Sequence, residues 1–259
     1  MSKPTFRALL KYETINTMTN FFTPFFGVVF PMLMGTLLVA TITKTVPESQ
    51  QATVGTGIAI VTSLIIPMSI MLVSFPALFS QEAEQGVMTR MELFNFRERD
   101  ILVAKIIVHY LIMTCSAVLY GAVMVMVNHV MIPKLSSFIV FLVCYYLIAT
   151  LLFIFAYSVG ALLKKFGTTY AITMTVYFVF MGMSGMMGVQ PDQLPIWGQR
   201  IAYSLPMAHI NSDFSKYWVT GFSGYNFMPL IQSFIFMGAL VVLCYMGSWY
   251  KRKRTIGIR

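Results

Sequence analysis

The chain is poor in charge. Only 10% of its 259 residues are Asp, Glu, Lys or Arg, while 58% are hydrophobic, which leaves too little polar surface to cover a water-soluble globule of this size. Acids are the scarcest, with 9 Asp and Glu against 18 Lys and Arg. The positive excess does not describe a nucleic-acid binder, because the basic residues sit between apolar runs and are not interleaved with stacking aromatics. Cysteine is nearly absent. Cys115, Cys144 and Cys244 each fall alone inside an apolar run, which excludes a disulfide framework and predicts three small buried residues. The chain has no G-x-x-x-x-G-K-[ST] phosphate loop and no H-E-x-x-H pair, and His109, His129 and His209 lie far apart. No catalytic site, no metal and no nucleotide are therefore expected on this chain.

What is present is six long apolar runs, at about 21–42, 56–80, 101–127, 137–163, 168–187 and 227–249. Each is near the roughly 20 residues that a bilayer-crossing helix needs. The first is too long for a signal-peptide core and lacks a small-residue cleavage site. Pro24, Pro31, Pro67 and Pro76 should kink the first two spans. No charged residue falls well inside a run, although Lys105 sits near the inner end of the third. Ion-coupled transport usually keeps an ionisable group in the membrane, so its absence argues against that class.

Residues 1–20 mix Arg7 and Lys11 with Leu9, Leu10, Ile15 and Met18, the pattern of an amphipathic helix lying in the interface. Lys251, Arg252, Lys253 and Arg254 open a basic tail at 250–259. With both ends placed in the cytoplasm, the outer segments hold only Lys44, Lys134, Arg200 and Lys216 among the 18 Lys and Arg, as the retention of positive charge on the inner side requires. The expected fold is an all-α integral membrane protein, with a six-span transmembrane domain over 21–249 in a cell membrane.

Between the second and third runs, Glu82 to Phe94 can form a short cytoplasmic helix able to dock into a groove on another protein or to stand as a solvated loop helix. This segment resembles the loop of ABC-2 family exporter permeases, which follows an E-x-G-T, then L, then P, then G-K pattern. Glu84, Gly86, Leu93 and Lys105 match, whereas Val87, Ala104 and the region of Asn95 depart from it. A second match lies between spans five and six, where Pro191, Leu194, Pro195, Trp197, Tyr203, Pro206 and Gly221 follow the family's looser pattern, with Leu205 in place of an asparagine.

The resemblance implies several further things. The outer region should fold into short re-entrant helices. Two permease subunits, identical or homologous, should pair, each laying its cytoplasmic helix against a separately encoded ATPase that carries ATP and magnesium. Glu82, Glu84, Gly86, Arg90, Glu92, Leu93 and Phe94 then become the candidate coupling residues, and the source would be bacterial.

Export of a drug, lipid-like molecule or peptide fits an uncharged lining. Met68 and Met71 in span two, with Tyr177, Phe178, Phe180, Met181 and Met183 in span five, are the candidates, since thioethers adapt to varied apolar ligands. The same residues also serve as ordinary helix packing. A non-transporting scaffold or sensor subunit, or an ion-coupled secondary transporter, are the competing classes.

Overall fold

The computed structural model describes residues 6–256, with side chains described through Lys251. Lys3 and Pro4 of the interfacial segment, the side chains of Arg252, Lys253 and Arg254, and residues 257–259 lie outside the described part. No strand occurs among the described residues. The helices, in order, are α1 (Phe6–Thr19), α2 (Phe22–Thr45), α3 (Glu48–Glu84), α4 (Val87–Leu93), α5 (Glu98–Asn128) and α6 (Leu135–Leu163), then α7 (Phe166–Met183), α8 (Ile196–Ala202), α9 (Pro206–Tyr217) and α10 (Met228–Ile256). Helices α2, α3, α5, α6, α7 and α10 are the six long and apolar enough to cross a membrane, and the chain is a multi-pass, all-α membrane protein.

The α3 helix is the central element. Residues 58–80 are all buried, as expected of a helix that is apolar on every side. Around it pack α2, α5, α6, α7 and the outer helix α9, while α10 lies against α6 and α1 crosses the inner part of α5. The hydroxyls carried into this core bond mostly to their own helix: Thr62 donates to the Ile58 carbonyl, Ser63 to Ile60 and Ser80 to Pro76, so burying them leaves few donors unpaired.

Helix ends follow local sequence. The acids Glu98 and Asp100 occupy the first turn of α5, where the helix dipole favours negative charge. His129 and Lys164 adopt left-handed conformations, φ 50° and 51°, and close α5 and α6. The fifth span stops at Met183, short of 187, because Gly185 and Gly188 turn left-handed at φ 81° and 88°. The second span is longer than its apolar run, since no breaker separates 56 from the N-terminal Pro47–Glu48 boundary. Of the cysteines, only Cys144 is buried; Cys115 and Cys244 lie on the exposed outer faces of α5 and α10, because an apolar run in a bilayer has a lipid-facing side as well as a packed one.

The prolines produce matched distortions. Residues Phe25–Val29 of α2 and Ile70–Ser74 of α3 form wide π turns, in which Phe30 N–H reaches back to the Phe25 carbonyl and Phe75 N–H to that of Ile70. Pro31 and Pro76 follow directly. A proline ring collides with the carbonyl four residues before it, and widening the preceding turn moves that carbonyl aside. The two π turns face each other. Thr23 and Ser74 share a hydrogen bond between hydroxyls, and a Cβ on Gly27 would lie 2.9 Å from Ile70 Cγ1.

Candidate functional site: a platform around α4

The side chains of α1 sort by a four-residue step, with Leu9, Glu13 and Thr17 buried and Phe6, Arg7, Tyr12 and Ile15 exposed. The helix therefore presses an acid, not only apolar groups, against the bundle. Lys105, on the first turns of α5, receives it: its Nζ lies 2.8 Å from both carboxylate oxygens of Glu13 and 2.6 Å from Glu82 Oε2. All three side chains are almost fully enclosed. The Asn16 amide donates to Glu82 Oε1 at 2.6 Å.

One ammonium thus holds two carboxylates that precede it by 92 and 23 residues, and joins α1, the C-terminal end of α3 and α5. Burial pushes the Glu13 carboxyl above its ordinary value, against the pull of the Lys105 ammonium. The set carries one acid too many for its one base, and a buried carboxyl relieves such an excess by favouring its neutral form.

Beside the charges, Leu9, Ile101 and Ala104 form a small apolar core, with Leu10, Met91 and Phe96 packed on it. This core seats α4. Gly86, at φ 67°, turns the chain between the end of α3 and α4. At the other end Asn95 is left-handed at φ 69°; Phe96 N–H bonds to the Met91 carbonyl and Asn95 N–H to that of Glu92. That is a Schellman closure, complete with its Phe96–Met91 apolar partners. Asn tolerates the left-handed residue at its turn, which accounts for the absence of the family's proline here.

The seating fixes what α4 shows to the outside. Met88 and Met91 face the bundle, whereas Leu93 is 82% exposed and Phe94 67% exposed. Arg90 and Glu92 flank them, also exposed, and the Arg90 guanidinium donates to the Gln85 carbonyl at 3.1 Å.

The candidate coupling residues therefore divide. Gly86, Arg90, Glu92, Leu93 and Phe94 belong to the platform or its hinge. Glu82 does not lie on an exposed face but is enclosed with Lys105. Glu84 ends α3, and its Oε2 accepts the Phe166 N–H at the start of α7 at 2.8 Å. The helix itself is shorter than 82–94, because residues 82–84 continue α3.

No motif marks Glu13; its only signal in the sequence is an acid on the apolar stripe of an interfacial helix.

The seven candidate lining residues do not converge on a cavity. Met68, Met71, Tyr177 and Met181 are enclosed in the core, and the Ser69 hydroxyl donates to Tyr177 at 3.2 Å. Phe178 is exposed, with Phe180 and Met183 half-buried.

In the outer region, Pro191 opens a single 3₁₀ turn, Pro195 and Pro206 precede or begin α8 and α9, and Pro191 and Pro206 are buried. Leu194 is half-buried and Trp197 exposed. Asn211 of α9 donates to the Gln190 side chain. Gln190, Pro191 and Asn211 border a polar cavity of about 470 Å³ that also takes in Thr53, Asp192, Ser212 and Lys216; Leu194, Pro195, Trp197 and Pro206 do not line it.

Comparison with known proteins agrees with this arrangement: the family described as ABC-2 type transporter matches residues 4–218. No curated protein and no solved structure matches the chain.

Proposed function

The chain belongs to the ABC-2 type transporter family and is a permease component of an ABC transporter, and we propose that it is the membrane half of an ATP-driven exporter powered by a separate ATPase subunit. The carrying observation is the adjacent, exposed pair Leu93 and Phe94 on a helix that is itself firmly seated. Two large apolar side chains shown to water, rimmed by Arg90 and Glu92, are the composition of an interface centre with a charged rim.

In this reading the ATPase receives α4 in a groove, and ATP with magnesium binds on that partner. Closure of the two ATPases pulls on α4, and the ion-paired junction carries the movement to three segments at once. α1 moves with α5 through Glu13 and Lys105, and α3 follows through Glu82. Glu84 ties the same corner to α7. A rigid junction of this kind transmits displacement where an isolated loop would absorb it.

The chain pairs with a second permease subunit, and both termini lie in the cytoplasm of a bacterial cell membrane. Apart from the Lys105 cluster, no Asp, Glu, Lys or Arg is buried among the described residues, which suits a hydrophobic or amphiphilic substrate, and the short helices α8 and α9 dip back from the outer surface.

The test is co-purification with the candidate ATPase, comparing the parent with Leu93→Asp and Phe94→Asp. Both variants should lose the ATPase while keeping the parent's melting temperature, since neither side chain packs in the bundle. Retention of the ATPase by both would move the docking site elsewhere.

A further inference from the structure

A second cavity, of about 370 Å³, lies between the outer halves of α5 and α6, closed behind by Ala59, Ile60 and Ser63 of α3 and above by Trp218. It has the size of a small-molecule site. No charged residue lines it among the described residues, so an ionised ligand would lose its hydration without compensation. Exposed Val118, Val125 and Phe138 mark its mouth, which opens toward the bilayer between the two spans.

Its polar groups are nearly all committed. Ser63 donates to the Ile60 carbonyl, Thr114 to Tyr110 and Tyr120 to Ala59. Tyr146 is paired with Thr114, and the Trp218 indole N–H donates to the Met131 carbonyl. Tyr145 is the exception. It lines the cavity, is 2% exposed, and its hydroxyl has no hydrogen-bond partner among the described residues. A buried donor left unpaired is destabilising, so a ligand that supplies an acceptor recovers what the fold leaves unsatisfied.

The depth of Tyr145 narrows the ligand. It lies ten residues into α6, roughly 15 Å along the helix at 1.5 Å per residue, which is near the middle of a hydrocarbon layer about 30 Å thick. Bilayer lipids present tail carbons at that depth, not ester or headgroup oxygens. We propose that the cavity between α5 and α6 is a binding site for an uncharged, lipid-soluble molecule bearing one hydrogen-bond-accepting oxygen, which the Tyr145 hydroxyl holds at mid-membrane. The site is separate from α4 and needs no ATPase.

Gly121 supplies the means to close it. It lines the cavity, and a Cβ built on it meets nothing within 4 Å, so the side chain of Gly121→Phe starts in open space and is the variant chosen to occupy the cavity. The full chain in lipid nanodiscs would be photolabelled with octanol carrying a chain diazirine, and in parallel with octane carrying the same diazirine. Labelled peptides are quantified by mass spectrometry against probe mole fraction in the bilayer.

The octanol probe should label the peptides around Val118 and Tyr146 saturably. Tyr145→Phe should raise its half-saturation about five-fold, the effect of one neutral hydrogen bond, and Gly121→Phe should abolish the saturable part. The octane probe should be indifferent to Tyr145→Phe. Unsaturable labelling matching other lipid-facing positions, meaning occupation by bulk acyl chains only, would overturn the site. So would an unchanged half-saturation in Tyr145→Phe, a variant that retains the ring and its packing. Either result leaves the docking of α4 untouched, because no ATPase enters the experiment.

Discussion

Lys105 is the residue on which the inner end of the bundle depends. Removing one partner from a buried ionic cluster leaves uncompensated charge and costs about 3–5 kcal/mol. Lys105→Met should therefore lower the melting temperature sharply, because it leaves Glu13 and Glu82 facing each other. Glu13→Gln should be far milder, within about 1 kcal/mol, since the amide oxygen still accepts from Nζ and the lost charge is the surplus one.

The pH dependence follows from the same surplus. A carboxyl whose folded pKa is raised binds more protons in the native state than unfolded, so its contribution to stability is present below the ordinary value of 4.5 and is lost as pH rises through the folded pKa. The melting temperature of the parent should fall relative to Glu13→Gln as pH climbs from that value toward neutrality. Scanning fluorimetry in detergent across that range checks both statements. A parallel course for the two proteins would show that Glu13 titrates as an ordinary surface acid.

Gly185 carries a different kind of constraint. Its φ of 81° suits few other residues, and a Cβ there would run into the Asn211 amide, the group that holds Gln190. Gly185→Ala combines backbone strain with a collision against a hydrogen-bonded side chain, worth about 1–3 kcal/mol together. Local loosening of the α7–α9 junction should appear as faster amide exchange over residues 184–193.

Among the elements, the paired π turns are the most specific feature of the packing. Gly27 sits where α2 crosses α3, and Gly27→Val would push two methyls into Ile70. Overpacking of that kind costs about 1–3 kcal/mol. Ile70→Ala should recover part of the loss in the double variant, because the obstacle is Cγ1 and Cδ1 of one side chain and not backbone. Thermal unfolding of the two single variants and the double gives the coupling. Full additivity would mean that the two turns do not bear on one another.

The elements also divide what the sequence discloses from what it conceals. Pro24, Pro31, Pro67 and Pro76 point to distortion in the first two spans, and distortion is there. Its form, a wide turn ahead of Pro31 and Pro76, depends on room that only the opposing helix provides. Apolar length alone marks all six spans, but it assigns no direction to a side chain. In a membrane helix, Met68 in the core and Phe178 on the surface have the same local surroundings in sequence.

The ion cluster was hidden for a related reason. Glu13, Glu82 and Lys105 meet because α1 folds back along α5, a tertiary event with no local signature. Leu93 and Phe94 stand out only once Met88 and Met91 are seen to face the other way.

For the whole molecule, the distribution of positive charge determines which end of the bundle α4 belongs to. Lys44, Lys134, Arg200 and Lys216 lie with α8, α9 and the polar cavity, whereas Arg7, Lys11, Arg90, Arg97 and Arg99 gather around the ion cluster and α4. In the proposed reading, retention of Lys and Arg on the cytoplasmic side during insertion puts α4 inward and the polar cavity outward. Single cysteines replace Arg90 or Lys216, both exposed, in a chain with Cys115, Cys144 and Cys244 changed to Ala. A membrane-impermeant maleimide added to intact cells should label Lys216→Cys at once and Arg90→Cys only after permeabilisation. The reverse pattern would place α4 beyond the reach of any cytoplasmic ATPase, and the exposed Leu93–Phe94 pair would need an extracytoplasmic partner instead. Labelling of both sites in intact cells would contradict a single orientation, a result the four-against-fourteen division of Lys and Arg makes physically costly, since each misplaced cation opposes insertion.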